Sequence, residues 1–186
     1  MAATVTDTGM PSPQQRYSDR PLPPYAYIPG QTPHPGRGQG NHLPERCMGS
    51  PTFLHGRWHD SDEYRYGIDL LNFGFWWESH EVFEKLWHVV GPKSPEGNFF
   101  QALIQLAAAQ VKRCMGHDEA AKRLAHKAVD RLTNSPLSYM GMNVAKLIQD
   151  VASPRFIAQG DNIRIQLNLP HEGRSEGEGQ NLAATP

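Results

Sequence analysis

Two cysteines in 186 residues, Cys47 and Cys114, stand far apart, and neither belongs to a C-x-x-C pair. Structural zinc of the finger kind is excluded on that spacing, and Cys114, near the end of an apolar stretch, reads as a reduced core thiol. No segment approaches the ~20 apolar residues needed to span a bilayer. The first twenty residues hold no apolar run of signal-peptide length, so the expectation is a cytoplasmic protein with no membrane partner. Charge of either sign is not in excess: the formal net charge is −1. That leaves no electrostatic footprint for nucleic acid. Lys112, Arg113, Lys122, Arg123, Lys127 and Arg131 are locally basic, but Asp118, Glu119 and Asp130 are interspersed, so the stretch reads as a solvated face.

What the chain does have is crowded into its middle. Residues 1–20 are polar and poor in order-promoting side chains, and the Gly/Glu-rich tail 171–186 is similar, so both ends are expected to be disordered. Residues 21–58 contain P-L-P-P-Y-A-Y-I-P-G-Q-T-P-H-P-G, too proline-rich for helix or central strand. Tyr25, Tyr27 and Ile28 are poor choices for a free linker, which predicts an extended arm packed along the folded part. Residues 59–153 carry helical patterning. Within 154–170, the alternation I-R-I-Q-L-N-L from Ile163 to Leu169 predicts an extended packing segment.

The helical part divides at its glycines and prolines. Asp60 or Ser61 caps a first helix that reaches about Phe73 and breaks at Gly74. A second runs to about Val90, where Gly91-Pro92 forbids continuation. Ser94-Pro95-Glu96 begins a third that ends at Gly116, Asp118 begins a fourth, and Val144 to Ala152 can form a short fifth. The third is apolar nearly all the way round in its first part, as a helix at the centre of a bundle should be. The fold class is therefore all-α: a compact array of four to five short helices with an extended arm and disordered ends.

Between Trp76 and Trp87 the second helix reads W-W-E-S-H-E-V-F-E-K-L-W. At about 100° per residue, His80, Glu84 and Trp87 share one stripe beside the apolar arc of Phe75, Val82, Phe83, Leu86 and Val90, with Trp76 and Trp77 on its flanks. Glu78, Glu81 and Lys85 fall on the other side, where Glu81 and Lys85 have the spacing of a solvated ion pair. On the third helix, Gln101, Gln105, Ala108 and Lys112 form a second stripe, and buried amides require partners. His80 and Glu84 are the available ones, which predicts a single hydrogen-bonded cluster roofed by Trp87. Gln110 lies on the opposite face and is expected to be solvated.

G-I-D-L-L-N-F-G-F-W-W-E-S-H-E-V-F-E-K-L-W, followed by F-F-Q-A-L-I-Q-L-A-A-A, resembles the prokaryotic domain-of-unknown-function family numbered 309, whose hallmark is H-x-x-x-E-x-x-W. The motif falls on His80, Glu84 and Trp87, and the resemblance covers roughly residues 60–135. It implies a small all-α domain with an active site or binding pocket. Some members carry a provisional label of metal-dependent hydrolase. The chain departs from the pattern at Ala102, where many relatives have glycine, which narrows the space beside Gln101.

Three classes of function fit these residues. His80 and Glu84, four apart on a helix, can share one divalent ion such as zinc, with a third ligand from His34, His42, His55 or His59 in or near the arm, and H-E-x-x-E resembles a zincin helix that has lost its second histidine. Without metal, Glu84 could serve as acid or base with His80 orienting it, Glu81 assisting, while Gln101 and Gln105 read a polar small molecule and Trp77 or Trp87 stacks on it. As a third possibility, the network fixes the register of two helices in a non-enzymatic helical-hairpin domain that binds a protein or small ligand. All three stay open at the level of sequence.

Overall fold

The computed structural model describes residues 15–35, 53 and 56–170. Five α-helices dominate: α1 (Asp62–Asn72), α2 (Trp76–Val90), α3 (Pro95–Cys114), α4 (Asp118–Leu132) and α5 (Val144–Ala152). A short 3-10 turn at Trp58–Asp60 precedes α1, and the two-residue strands β1 (Ser138–Tyr139) and β2 (Met142–Asn143) make a small hairpin before α5. The all-α class and each helix break expected from glycine and proline are present. Ser61 caps α1 by accepting from the Tyr64 N–H, and Asn143 caps α5 by accepting from the Lys146 N–H. No helix among the described residues is long and apolar enough to cross a membrane.

The central helix is α3, which packs chiefly against α2 and α4. Phe99, Phe100, Ala102, Leu103, Leu106 and Ala107 are all buried at 2% exposure or less, so the all-round apolar character of its first half is used on several sides at once. The turn into it is tight. Ser94 Oγ donates to the Gly91 carbonyl and accepts from the Gly97 N–H. A Cβ placed on Gly97 would lie 2.1 Å from the Gly91 oxygen, so only glycine allows the end of α2 and the first turn of α3 to approach this closely.

Both chain segments flanking the helices lie on α1. Asp69, fully buried, accepts from the backbone N–H groups of Tyr17 (2.9 Å) and Ser18 (2.9 Å) and pairs with Arg16 at 3.2 Å. Residues 15–20, which composition assigned to a disordered end, are thus pinned to the first helix. Two of their backbone N–H groups and the Arg16 side chain are held by a carboxylate some fifty residues away, a pairing that composition does not reveal. Arg20 continues the contact by pairing with Asp62 and Glu63, and the Tyr66 hydroxyl donates to the Pro21 carbonyl.

The C-terminal segment is clamped in the same region. Asn72 donates to the Ile165 carbonyl and accepts from its N–H, in the manner of one rung of a ladder, while Leu167 N–H donates to the Tyr17 hydroxyl. Ile163, Ile165 and Leu167 are buried and Arg164, Gln166 and Asn168 exposed, which is the alternation of a half-buried extended chain. The extended stretch is shorter than 154–170. Arg155–Gln159 form a π-helical turn that buries Phe156, and Gly160 follows in the left-handed region.

Leu167 also bridges Met142, adding the extended segment to the β1–β2 hairpin. That hairpin turns on Met140 and Gly141, both with positive φ, and a Cβ on Gly141 would meet the Trp58 ring at 2.2 Å. The fully buried Tyr64 donates its hydroxyl to the Met140 carbonyl, and burial pushes that phenol far above its ordinary pKa, so it stays a neutral donor.

Gly97→Ala should lower stability by about 1–3 kcal/mol through the forced approach to the Gly91 carbonyl, although alanine is intrinsically the better helix former by about 1 kcal/mol. Urea denaturation decides it: equal or greater stability in the variant would show that the turn has slack. Asp69→Ala should cost about 1–3 kcal/mol by leaving two backbone donors unpaired. That cost should shrink sharply in a chain truncated before Pro21, because the donors are then gone as well.

Candidate functional site

Helix α2 carries the polar stripe on the side of the array reached by the arm. His80, Glu81 and Glu84 are each half-buried, and one ligand atom from each, an imidazole nitrogen and two carboxylate oxygens, lies within 4.8 Å of the other two. His80 and Glu84 are neighbours because they stand one turn apart. Glu81 joins them although the helical pattern places it about 100° round from His80, because a glutamate side chain is long enough to reach back along the helix surface.

Trp77 braces this group from the first turn of α2. Its ring stacks on His80 with centroids 6.1 Å apart and planes at 24°. Tyr27 of the arm meets Trp77 edge-on at 5.2 Å and donates its N–H to Glu78 at 2.8 Å, while His34 meets Tyr27 edge-on at 5.2 Å. Further along, the Gln31 side chain donates to the Cys114 carbonyl at the end of α3. The arm therefore packs against the helical domain beside His80, as its aromatic residues suggested. Glu78, expected on an exposed side, is buried at 7% because the arm covers it.

Among the described residues, the arm does not bring a histidine to the site. Among the described residues, the group of His, Cys, Asp and Glu side chains that could share one cation is His80, Glu81 and Glu84, so the third ligand atom within reach belongs to Glu81 and not to His34. His59 stacks edge-on with Trp58 and faces Asp60 at 3.6 Å. His42 and His55 lie outside the described residues, as does Cys47. Cys114 is partly exposed and not part of the core, and burial still raises its thiol above the ordinary value, which keeps it protonated at neutral pH.

On the facing helix, Gln101 and Gln105 are half-buried and Ala102 fully buried. The expected closed network does not form through Gln105: its Oε1 is buried without a hydrogen-bond partner among the described residues. Trp87 packs against the core, with its ring edge-on to His88 at 4.8 Å, and its Nε1 is likewise buried without a partner. Gln110 corrects the sequence reading in the other direction. It is 6% exposed, accepts from Arg113 at 3.0 Å and donates to Asn162 at 3.5 Å, because the segment after the π-helical turn returns to cover that face of α3.

A helix bearing an imidazole and two carboxylates on one flank, braced by tryptophan and packed against a glutamine-bearing partner helix, defines a small all-α domain with a polar site at its α2–α3 hairpin. Residues 64–124 match the model of the family described as Domain of unknown function (DUF309). No curated protein matches the chain. The matched segment runs from α1 into α4 and contains the whole hairpin, while the arm and the extended C-terminal segment lie outside it.

If Tyr27 and Trp77 hold the arm on α2 as their contact indicates, a double-mutant cycle of Tyr27→Ala and Trp77→Ala should give a coupling energy of about 0.5–1.5 kcal/mol. Thermal or urea denaturation measures it, and additive effects would mean that the two rings contribute independently.

Proposed function

We propose that His80, Glu81 and Glu84 bind one divalent cation and that the domain is a cytoplasmic metal-dependent hydrolase acting on a small molecule. The observation that carries this reading is the convergence of three ligand atoms within 4.8 Å on one flank of α2. One nitrogen and two carboxylate oxygens suit a borderline ion such as Zn²⁺, and two carboxylates balance its charge. Three protein ligands on a partly exposed helix flank leave coordination positions free for substrate, which is the pattern of catalytic rather than structural sites.

A cation held there would supply Lewis acidity toward a carbonyl or phosphoryl oxygen. The chain's own residues then have separate tasks. His80, Glu81 and Glu84 hold the cation, and the Trp77 ring limits how far the His80 imidazole can turn. Trp77, Trp87, Gln101 and Gln105 form the surface against which a bound molecule is oriented. A network that served only to fix helix register would be expected to satisfy its own members, and the unpartnered Gln105 Oε1 and Trp87 Nε1 weigh against that alternative.

Untagged full-length protein titrated calorimetrically with Zn²⁺ and Mn²⁺ should bind one cation per chain. Glu81→Gln and Glu84→Gln should each weaken binding by roughly tenfold or more, equivalent to about 1.4 kcal/mol, with little change in the stability of the cation-free protein. At a hundredfold excess over Kd, Zn²⁺ should stabilise the wild type by about 2.7 kcal/mol and the variants by less. Hydrolysis of simple esters, amides and phosphoesters, screened with and without chelator, tests the reaction class. Protein that takes up neither ion would sink the metal reading.

A further inference from the structure

Two buried polar atoms of the α2–α3 hairpin that have no hydrogen-bond partner among the described residues, Trp87 Nε1 and Gln105 Oε1, specify a ligand chemistry. Trp87 Nε1 can only donate a hydrogen bond, and Gln105 Oε1 can only accept one. A buried donor and a buried acceptor left unmet both lose the hydrogen bonds they had with water. Their positions also relate them. α2 and α3 run antiparallel across the short turn at residues 91–94, which sets Glu84 roughly level with Gln101. Side chains on a helix lean toward its N-terminus. By this rule Trp87 reaches toward the level of Glu84, and Gln105, from the other helix of the hairpin, toward the level of Gln101.

We infer that Trp87 Nε1 and Gln105 Oε1 are the two ends of one binding site for a neutral group that both accepts and donates, a primary amide or an alcohol. An amide carbonyl takes the indole hydrogen while its N–H meets the glutamine oxygen, and a hydroxyl does both with one atom. A carboxylate can take the indole hydrogen but offers nothing to Gln105, and any anion would stand at the level of the Glu84 carboxylate. An ammonium can serve Gln105 but not Trp87. The site thus selects for neutral polar compounds and against anions. It deepens the ligand-orienting part of the function proposed above, but it needs no cation.

The test uses full-length, chelator-treated protein with ¹⁵N-labelled tryptophan, so that its outcome is separate from that of the cation titrations. Trp87→Phe assigns the Trp87 indole signal. Acetamide should shift that signal saturably, acetate should do so at least tenfold more weakly, and Gln105→Leu should weaken the acetamide response by about tenfold while the Trp58 indole signal stays in place. Saturation-transfer measurement of the acetamide methyl group on wild type and Trp87→Phe provides a second readout should Gln105→Leu fail to fold, with the signal expected to drop in Trp87→Phe. Three results overturn the proposal: no saturable response to acetamide, which would leave water as the sole occupant; a stronger response to acetate, which would mean two donors face the site; or an undiminished acetamide response in Gln105→Leu, which would mean that the two atoms do not share a site.

Discussion

The close approach of Gly97 to the Gly91 carbonyl is the constraint on which the rest of the site depends. It lets a polypeptide reverse between two helices without splaying them, with Ser94 satisfying groups on both sides of the turn. Once α2 and α3 lie side by side, the stripe beginning at His80 and the stripe beginning at Gln101 become parts of one hairpin. A side chain at position 97 would push the start of α3 outward, and neither stripe would then keep its position relative to the other.

Around this hairpin the protein is held by polar contacts that join distant parts of the chain to α1. Asp69 gathers residues 16–18, Asn72 pairs with the backbone of Ile165, and the Tyr17 hydroxyl accepts from Leu167. The buried groups involved have partners, so they hold both flanks in place without leaving orphaned charge in the core. The arm continues from there across α2, where Tyr27 and Trp77 meet beside His80. The segment matched over residues 64–124 is thereby extended on both sides, and the arm is the extension that reaches its polar site.

The exceptions to that satisfaction are informative because of where they fall. Arg65 Nε on α1 is one, but Trp87 Nε1 and Gln105 Oε1 both belong to the α2–α3 hairpin that carries the His80 group, whereas the Tyr64 hydroxyl, equally deep, has the Met140 carbonyl. Buried polar groups left without partners in an otherwise well-paired fold mark a place where stability has not been maximised, and such places are commonly functional.

The sequence by itself determined the helices and their ends, because capping, proline and glycine effects act within a few residues. Ser61, Ser94-Pro95, Gly91-Pro92 and Gly116 each operate at their own position regardless of what packs on them. It also determined that His80 and Glu84 are neighbours, since one helical turn is a local distance. The tertiary structure decided the rest. Glu81 brings a carboxylate oxygen within 4.8 Å of the ligand atoms of His80 and Glu84, Gln110 is buried because residues after 160 return to α3, and Glu78 is buried because the arm crosses it. The contact between Tyr17 and Leu167 spans 150 positions of sequence. No local pattern encodes such a pairing, because the partners of a polar residue are chosen by which segments the folded core brings within hydrogen-bonding distance.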